Sequence, residues 1–378
     1  MDDRMFRVVV NKSTVPVGSG NLVGTLIREG IRDRHPRTGT RIRFAVASNP
    51  EFLREGSAIA DSLYPDRIVL GAEEERTLQV LRELYQPLVA QSFEAPVFLP
   101  RPAALTQVPV VTTTLTSAEM IKYAANAFLA VKIGFANEVA NVCERVGAEA
   151  PEVMAGIGLD ARIGTRFLSP GLGWGGSCFG KDIQSLLHTA REYGYQSRLL
   201  EAALEVNRAQ RQLVIHKLQE KLQEKLFILK GRTIALLGLA FKPETDDLRD
   251  APSLQIAERL IQMGARVKAY DPIAIEACRE NYPALRIQYC ASAEDAAQDA
   301  DALVLVTEWQ QFAHLDLGGL AKCMTRAILV DGRNLFDPEA ARQAGFDYCG
   351  IGRPQRAAWN NGMVVASHAA LAWLDGDL

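Results

Sequence analysis

From Thr116 to Val146 the chain runs without a proline, and a single helix over that stretch would be roughly 45 Å long at about 1.5 Å per residue. A rod of that length outgrows one small domain, so it is expected to link two. Thr116-x-x-Glu119 reads as a capping box at its start, and Gly147 and Pro151 supply a stop and a break at its end. Whatever precedes and follows this rod must fold around it.

Before it, strand-like runs at Phe6 to Val10 and Ile42 to Ala47 flank a helical pattern from Asn21 to Asp33, which predicts parallel α/β structure. After it, more helix is expected to about Lys230, interrupted by a glycine-rich segment. From Gly231 the pattern changes. TIALLGLAF reads as a buried strand with a glycine turn, Pro252 to Met263 as a helix, and ARVKAYD as a strand ending at Asp271. With further strands at Ala302 to Val306 and Ala327 to Val330, this is a second doubly wound sheet, whose ligand crevice belongs at the carboxyl ends of its strands. The tail after Pro354 reads either as a terminal helix or as a loosely held segment, and no function attaches to it.

A chain of 378 residues with 48% hydrophobic residues can build more than one core, and a net charge of -3 with mixed signs gives no footprint for nucleic acid or a polybasic membrane contact. No apolar stretch suits a signal peptide or a membrane span. The six cysteines, at 143, 178, 278, 290, 323 and 349, form no C-x-x-C pair, and the five histidines form no H-E-x-x-H. A metal site is not expected. The reducing cytoplasm fits best.

Chemistry points first to Gly171-Leu172-Gly173-Trp174-Gly175-Gly176-Ser177-Cys178-Phe179-Gly180-Lys181-Asp182, where a glycine-rich turn delivers a cysteine to a helix start beside Lys181. The positive end of a helix and a nearby cation stabilise a thiolate, so Cys178 is a candidate nucleophile, against the plainer reading of an inert buried thiol. Its G-x-G-x-x-G spacing at 171–176 follows no clear strand and is rejected as a dinucleotide fingerprint. Gly238 to Pro243 lacks the full glycine pattern but lies in a βαβ context, and Lys242 and Arg249 there suit a nucleotide. Lys122 and Asn126, four apart on the long helix among apolar neighbours, suit an oxyanion, or else form a solvent stripe. Thr14, after the first strand, suits a water or ribose hydroxyl, or else a helix cap. Glu51 and Glu55 would share a face if their segment were helical, as a tuned acid pair or as solvated charge.

NKSTVPVG, SNPEFLREGSAIAD followed by PDRIVLG, EMIKYAANAFLAVKIGFANE, FLSPGLGWGGSCFGKD and GLAFKPETDDLRDAPS, in that order, resemble the nucleotide-sugar 6-dehydrogenases from about residue 6 to about residue 353. The resemblance implies a four-electron oxidation of a primary alcohol to a carboxylate with two NAD. UDP-glucose is the implied substrate, with Trp174 and the FGKD after the cysteine closer to the glucose type than to the GDP-mannose or UDP-N-acetylhexosamine type. It also implies the roles. Cys178 would trap the aldehyde as a thiohemiacetal that becomes a thioester. Lys122 and Asn126 would stabilise the oxyanion, Asp182 and a Thr14-held water would handle protons, Glu55 would assist thioester hydrolysis, and Glu51 would support the site. Thr14, Glu55, Lys181 and Arg249 would contact NAD, the last two at its pyrophosphate. Phe167, Leu168, Gly175, Lys242 and Arg333 would contact the sugar nucleotide, with Arg162 reaching in from a neighbouring subunit of a homodimer or higher homo-oligomer.

The implied fold is α/β: a partial Rossmann-like domain over 1–115, a helical domain built on the long central helix over 116–230, a second Rossmann-like domain over 231–355, and a tail over 356–378. Family members open with a strand and a glycine-rich turn for the NAD pyrophosphate. On the order of a hundred residues carrying that part are expected to be missing here, which would leave an apolar sheet edge. From another class, the alternative is a non-catalytic module that binds sugar nucleotides or assembles with a complete partner.

Overall fold

A computed structural model of the chain describes residues 6–34, 43–223 and 229–354. The expectations for Ile42, for 224–228 and for the tail after Pro354 lie outside these residues. The first part alternates β1 (Phe6–Asn11), α1 (Ser19–Arg34), β2 (Arg43–Ser48), α2 (Ala58–Leu63), β3 (Ile68–Ala72), α3 (Glu75–Val89) and β4 (Val110–Thr113). The helical part follows as α4 (Leu115–Val146), α5 (Ala150–Gly158), α6 (Phe179–Glu192) and α7 (Arg198–Leu222). The last part comprises β5 (Thr233–Leu237), α8 (Pro252–Gln262), β6 (Arg266–Tyr270), α9 (Ile275–Asn281), β7 (Ile287–Tyr289), α10 (Ala293–Ala297), β8 (Ala302–Leu305), α11 (Leu317–Cys323), β9 (Ile328–Asp331), α12 (Pro338–Gln343) and β10 (Asp347–Gly350).

The first sheet has the order β1-β2-β3-β4 and is mixed, which corrects the all-parallel expectation: β2 and β3 are antiparallel, while β1 with β2 and β3 with β4 are parallel. The cause is the connection. A helix the length of α2 rises only about 9 Å, too little to carry the chain back along a strand of about 17 Å. The loop after β2 therefore stays at one end of the sheet, and that end carries Glu51 and Glu55.

The second sheet is parallel throughout, in the order β10-β9-β8-β5-β6-β7, the doubly wound pattern expected from its βαβ start. Thr233–Leu237 and Ala302–Leu305 are buried along their whole length, as strands covered by helices on both faces must be.

The long helix exists, but its predicted cap does not. Thr114 caps α4, its side chain accepting from the Ser117 amide at 3.2 Å. Because the helix starts at Leu115, Glu119 lies a full turn inside it and is 3% exposed. Its carboxylate reaches across to α1 instead, accepting from the Gly18 and Gly20 amides at 2.6 and 2.8 Å, where an anion satisfies free donors and meets the positive helix end. Gly147, at φ 82°, ends α4 as expected, whereas Pro151 opens the next helix from its first turn. Small residues let α4 pack closely on its neighbours: Gly134 lies against Ala203 of α7, Ala118 against Gly71 of β3, and Ala127 and Ala130 join Ile183 and Leu187 of α6. The helix leaves Phe128, Phe135, Val142 and Val146 exposed.

Candidate active site

The glycine-rich loop is gripped from three directions. Asn137 of α4 accepts from the Gly171 amide at 2.8 Å; Asn207 of α7 accepts from the Trp174 amide at 2.8 Å and donates to its carbonyl at 3.0 Å. Arg211, one turn on, donates to the Trp174 carbonyl at 2.7 Å and pairs with Asp250. From the second sheet, the Gly332 and Arg249 carbonyls accept from the Leu172 and Gly176 amides at 3.0 and 2.9 Å. Such close contact leaves no space for side chains. At Gly176 the backbone is left-handed, with φ 84°, and an added Cβ would lie 2.8 Å from the Phe241 ring.

This loop presents Cys178, exposed, at the N-cap of α6, with its sulfur 3.7 Å from the Ser177 hydroxyl. Positive charge gathers around it. Burial lowers Lys181, but its hydrogen bond to Asp182, with the Asp182, Cys178 and Tyr123 charges, leaves it raised. Arg249 is raised first by its bond to Asp247, then by the charges of Asp247, Glu55 and Cys178. Lys242 is lowered by burial, against the opposing charges of Glu55, Asp61 and Cys178.

Behind the cysteine, Asp182 is 1% exposed and bridges Asn126, at 2.6 Å, and Lys181, at 2.5 Å. Lys122 and Asn126 are 5% and 8% exposed, which removes the solvent-stripe reading. The Lys122 ammonium lies 3.9 Å from Glu51 and 5.1 Å from the Phe52 ring centre. A buried ammonium and amide with hydrogen-bonded carboxylates can stabilise negative charge on a substrate oxygen.

Glu51 and Glu55 are not on a helix, because the segment before α2 is irregular; they point to different partners. Glu51 also accepts from the Leu53 amide, at 2.5 Å. Glu55 meets Arg249 at 3.1 Å and Thr245 at 3.4 Å, while its carbonyl accepts from Lys242 at 2.7 Å. Burial raises the Glu55 carboxyl, and Asp247 adds to the rise. Lys12 faces the same end of the first sheet, lowered by burial against the Glu51 charge, and lies 5.8 Å from the Tyr85 ring centre. Thr14 is half-buried in the loop after β1; Glu119 rather than Thr14 satisfies the start of α1.

The remaining expected residues divide. Lys181 and Arg249, with Gly176, Ser177 and Arg211, line a cavity of 430 Å³ at the N-terminus of α6, a donor set that suits an anionic pyrophosphate. Phe167 packs edge-on to Phe179, whose ring meets Trp174. Gly175 is held against the Asp250 carbonyl, and Arg333 donates to the carbonyls of Gly173 and Val306. The Leu168 side chain is in the core with Ala136 and Met154, so only its backbone can meet a ligand. Arg162 stands apart, 88% exposed and paired with Asp160.

The turn after β5 departs from the nucleotide reading. The Leu239 and Ala240 amides, which a phosphate would need, donate to Asp271, which also accepts from Ile273, Ala274 and Trp309. The turn is filled by the protein's own carboxylate, leaving Lys242 and Arg249 to side-chain contacts. Sequence reasoning missed Asn207, Arg211, Asp247 and Asp271. The i, i+4 spacing of Asn207 and Arg211 was the available signal for the first two. Among the described residues no group of His, Cys, Asp and Glu is arranged to hold a metal, and no helix is long and apolar enough to cross a membrane.

Family models of the UDP-glucose/GDP-mannose dehydrogenase family match in three stretches: the NAD binding domain over 3–89, the central domain over 116–209 and the UDP binding domain over 235–338. The UDP-glucose 6-dehydrogenase TuaD of Bacillus subtilis is 44% identical over 349 residues, covering 92% of this chain and 69% of its own. The UDP-glucose 6-dehydrogenase of Pseudomonas aeruginosa is 45% identical over 356 residues, covering 93% and 74%. Among solved structures, a UDP-glucose dehydrogenase from Pyrobaculum islandicum superposes with a TM-score of 0.77 at 34% identity, covering 93% of this chain and 72% of that one. The chain thus spans about 70% of the length of these relatives, and the NAD binding domain is among its matches.

Proposed function

The chain belongs to the UDP-glucose/GDP-mannose dehydrogenase family, and from that premise we propose that it is an NAD-dependent oxidoreductase converting UDP-glucose to UDP-glucuronate. The observation that carries this reading is the setting of Cys178: exposed at a helix start, among Lys181, Lys242 and Arg249, and backed by the buried Lys122, Asn126 and Asp182. NAD, when bound, takes up the hydride in each of the two oxidations. Lys181 and Arg249, which line the cavity beside α6, would hold its pyrophosphate, and Thr14 and Glu55 would be its further contacts by the family resemblance.

The protein's own residues then divide the work. The Cys178 thiolate adds to the aldehyde carbonyl, and Lys122 and Asn126 stabilise the oxygen that becomes negative. Asp182 fixes the Asn126 amide and Lys181. Covalent capture keeps a reactive aldehyde from leaving between the oxidations. Once the thioester has formed, Glu55 takes a proton from the attacking water, which Thr14 helps to hold, and Glu51 keeps Lys122 in place. Gly175, Lys242, Arg333, the Phe167 ring and the Leu168 backbone surround the sugar nucleotide.

The exposed Phe128, Phe135 and Val142 recur every seven residues along α4, and a second copy covering this stripe would make a homodimer. Arg162, free of this chain's own site, then serves the partner's. With six free cysteines, the protein suits a reducing cytoplasm. The test is to supply NAD with UDP-glucose, GDP-mannose or a UDP-N-acetylhexosamine and follow NADH. Two NADH per UDP-glucuronate are expected. Turnover of GDP-mannose alone, or UDP-glucose binding with no NADH, would overturn the assignment.

A further inference from the structure

Glu55 and Asp247 come from distant parts of the chain, the loop after β2 and the loop after β5, which Arg249, Lys242 and Thr245 join. Their contact is built into the backbone. At Gly56 the chain adopts φ +78°, and a Cβ there would lie 3.1 Å from the Glu244 side chain, so a larger residue would push the loops apart. Lys242 closes the same seam through the Glu55 carbonyl, at 2.7 Å.

Within the seam, one guanidinium serves both acids. Arg249 Nη2 donates to Glu55 Oε1 at 3.1 Å and to Asp247 Oδ2 at 2.7 Å, and Nε donates to both Asp247 oxygens at 2.9 and 3.0 Å. Thr245 ties the acids again, donating to Glu55 at 3.4 Å and accepting from the Asp247 amide at 3.2 Å. Arg249 thus holds the two carboxyl groups beside each other, and the Asp247 charge and hydrogen bonding add to the upward shift that burial gives Glu55. On its own loop the nearest cation, Arg54, is committed to Asp61 at 2.5 Å. The charged groups acting on Glu55 from the opposite loop are Lys242, Asp247 and Arg249; Glu244 of that loop packs against Gly56, Asp246 lines the same cavity as Glu55, and Cys178 lies near Lys242 and Arg249.

We propose that Asp247 is a positioning residue for Glu55: by holding Arg249 and Thr245 against both acids it fixes where the Glu55 carboxyl sits and keeps a second negative charge beside it, so that Glu55 is set for proton transfer where the two parts of the chain meet. The inference rests on the reading of Glu55 as the proton-transfer group, and it adds the residue that prepares it. Burial raises the Glu55 carboxyl, and the Asp247 charge and hydrogen bond raise it further against Lys242 and Arg249. Burial pushes Asp247 up too, but its bonds to Arg249 and its hydrogen bonding with Glu55 hold it below the ordinary range. A carboxylic acid shifted upward is matched to proton transfer closer to neutral pH. Removing the Asp247 charge frees Arg249 to serve Glu55 alone, and both changes lower the Glu55 value.

The test is a pH titration of protein labelled with carbon-13 at the glutamate carboxyls, read by NMR, the Glu55 signal being the one lost in Glu55→Gln. In the unaltered protein Glu55 is expected to titrate above ordinary glutamate. Asp247→Asn should lower its midpoint by about one pH unit or more, while Asp247→Glu, which keeps the charge, should leave it raised. The Glu119 signal, from the distant contact with α1, reports whether each variant keeps the fold. An unmoved Glu55 midpoint in folded Asp247→Asn overturns the proposal. Full activity of Glu55→Gln overturns the catalytic reading beneath it, and the two failures are distinguishable because the titration does not depend on turnover.

Discussion

Replacing Asn207 with Ala tests whether the cysteine loop is held by α7. Asn207 is 4% exposed and makes two bonds to Trp174, accepting from its amide at 2.8 Å and donating to its carbonyl at 3.0 Å. Without the side chain the amide is buried with no acceptor, at a cost of about 1–3 kcal/mol. The carbonyl keeps the Arg211 donor at 2.7 Å, so the second loss is a net hydrogen bond of about 0.5–1.5 kcal/mol. Together they come to about 1.5–4.5 kcal/mol. At about 1.4 kcal/mol per factor of ten, opening of the loop becomes roughly 10-fold to 1,600-fold more frequent. Hydrogen exchange read by mass spectrometry on peptides covering 171–178 measures this directly, with β5 and β8 peptides as internal references. Unchanged exchange in that segment, in a variant that folds, would refute the account of what anchors Cys178.

Three further outcomes follow. With limiting iodoacetamide at mildly alkaline pH, peptide mass spectrometry should find Cys178 labelled first, since it is exposed while Cys349 is buried and pushed up to about 11 by desolvation; equal labelling of the two contradicts this. Asn126→Asp places a second carboxylate where the amide stands 2.6 Å from Asp182. Two buried carboxylates that close cannot both ionise, so one is raised, and the stability of the variant falls as pH rises through that raised value. Its melting temperature should drop further below that of the unaltered protein at about pH 8 than at about pH 5, and a gap that stays constant sinks the argument. Phe135→Glu, on the exposed face of α4, should shift light scattering toward the monomer without changing the melting of a monomeric form; an unchanged mass removes α4 as the contact.

In the second sheet β5, β6, β8 and β9 are legible as short apolar runs, while the edge strands β7 and β10, only three and four residues long, are not; α4 is legible because nothing in it interrupts a helix. The cysteine at a helix start is likewise visible from glycines that precede an amphipathic run. What the sequence hides is direction and partnership. Nothing local tells β3 to run against β2; that follows from the shortness of α2. Glu119 has the right spacing for a local cap and spends its carboxylate on a helix 99 residues away. Asp271 looks like the end of a strand, yet its side chain occupies the turn where a phosphate was expected. Glu51 and Glu55 are close in sequence and divided in space, because each is claimed by a cation from a different element.

The 32 residues of α4 make it a lever. Lys122 near one end and Val146 at the other are about 36 Å apart along the axis at about 1.5 Å per residue. A pivot of one degree about the far end would therefore move Lys122 by about 0.6 Å, and misplacement of about 1 Å is enough to cost a reaction on the order of a hundredfold. Because Asn137 on the same rod holds Gly171, such a pivot tugs the cysteine loop as well. Whatever braces the outer side of this helix acts as its fulcrum, and so calibrates the chemistry without touching a substrate.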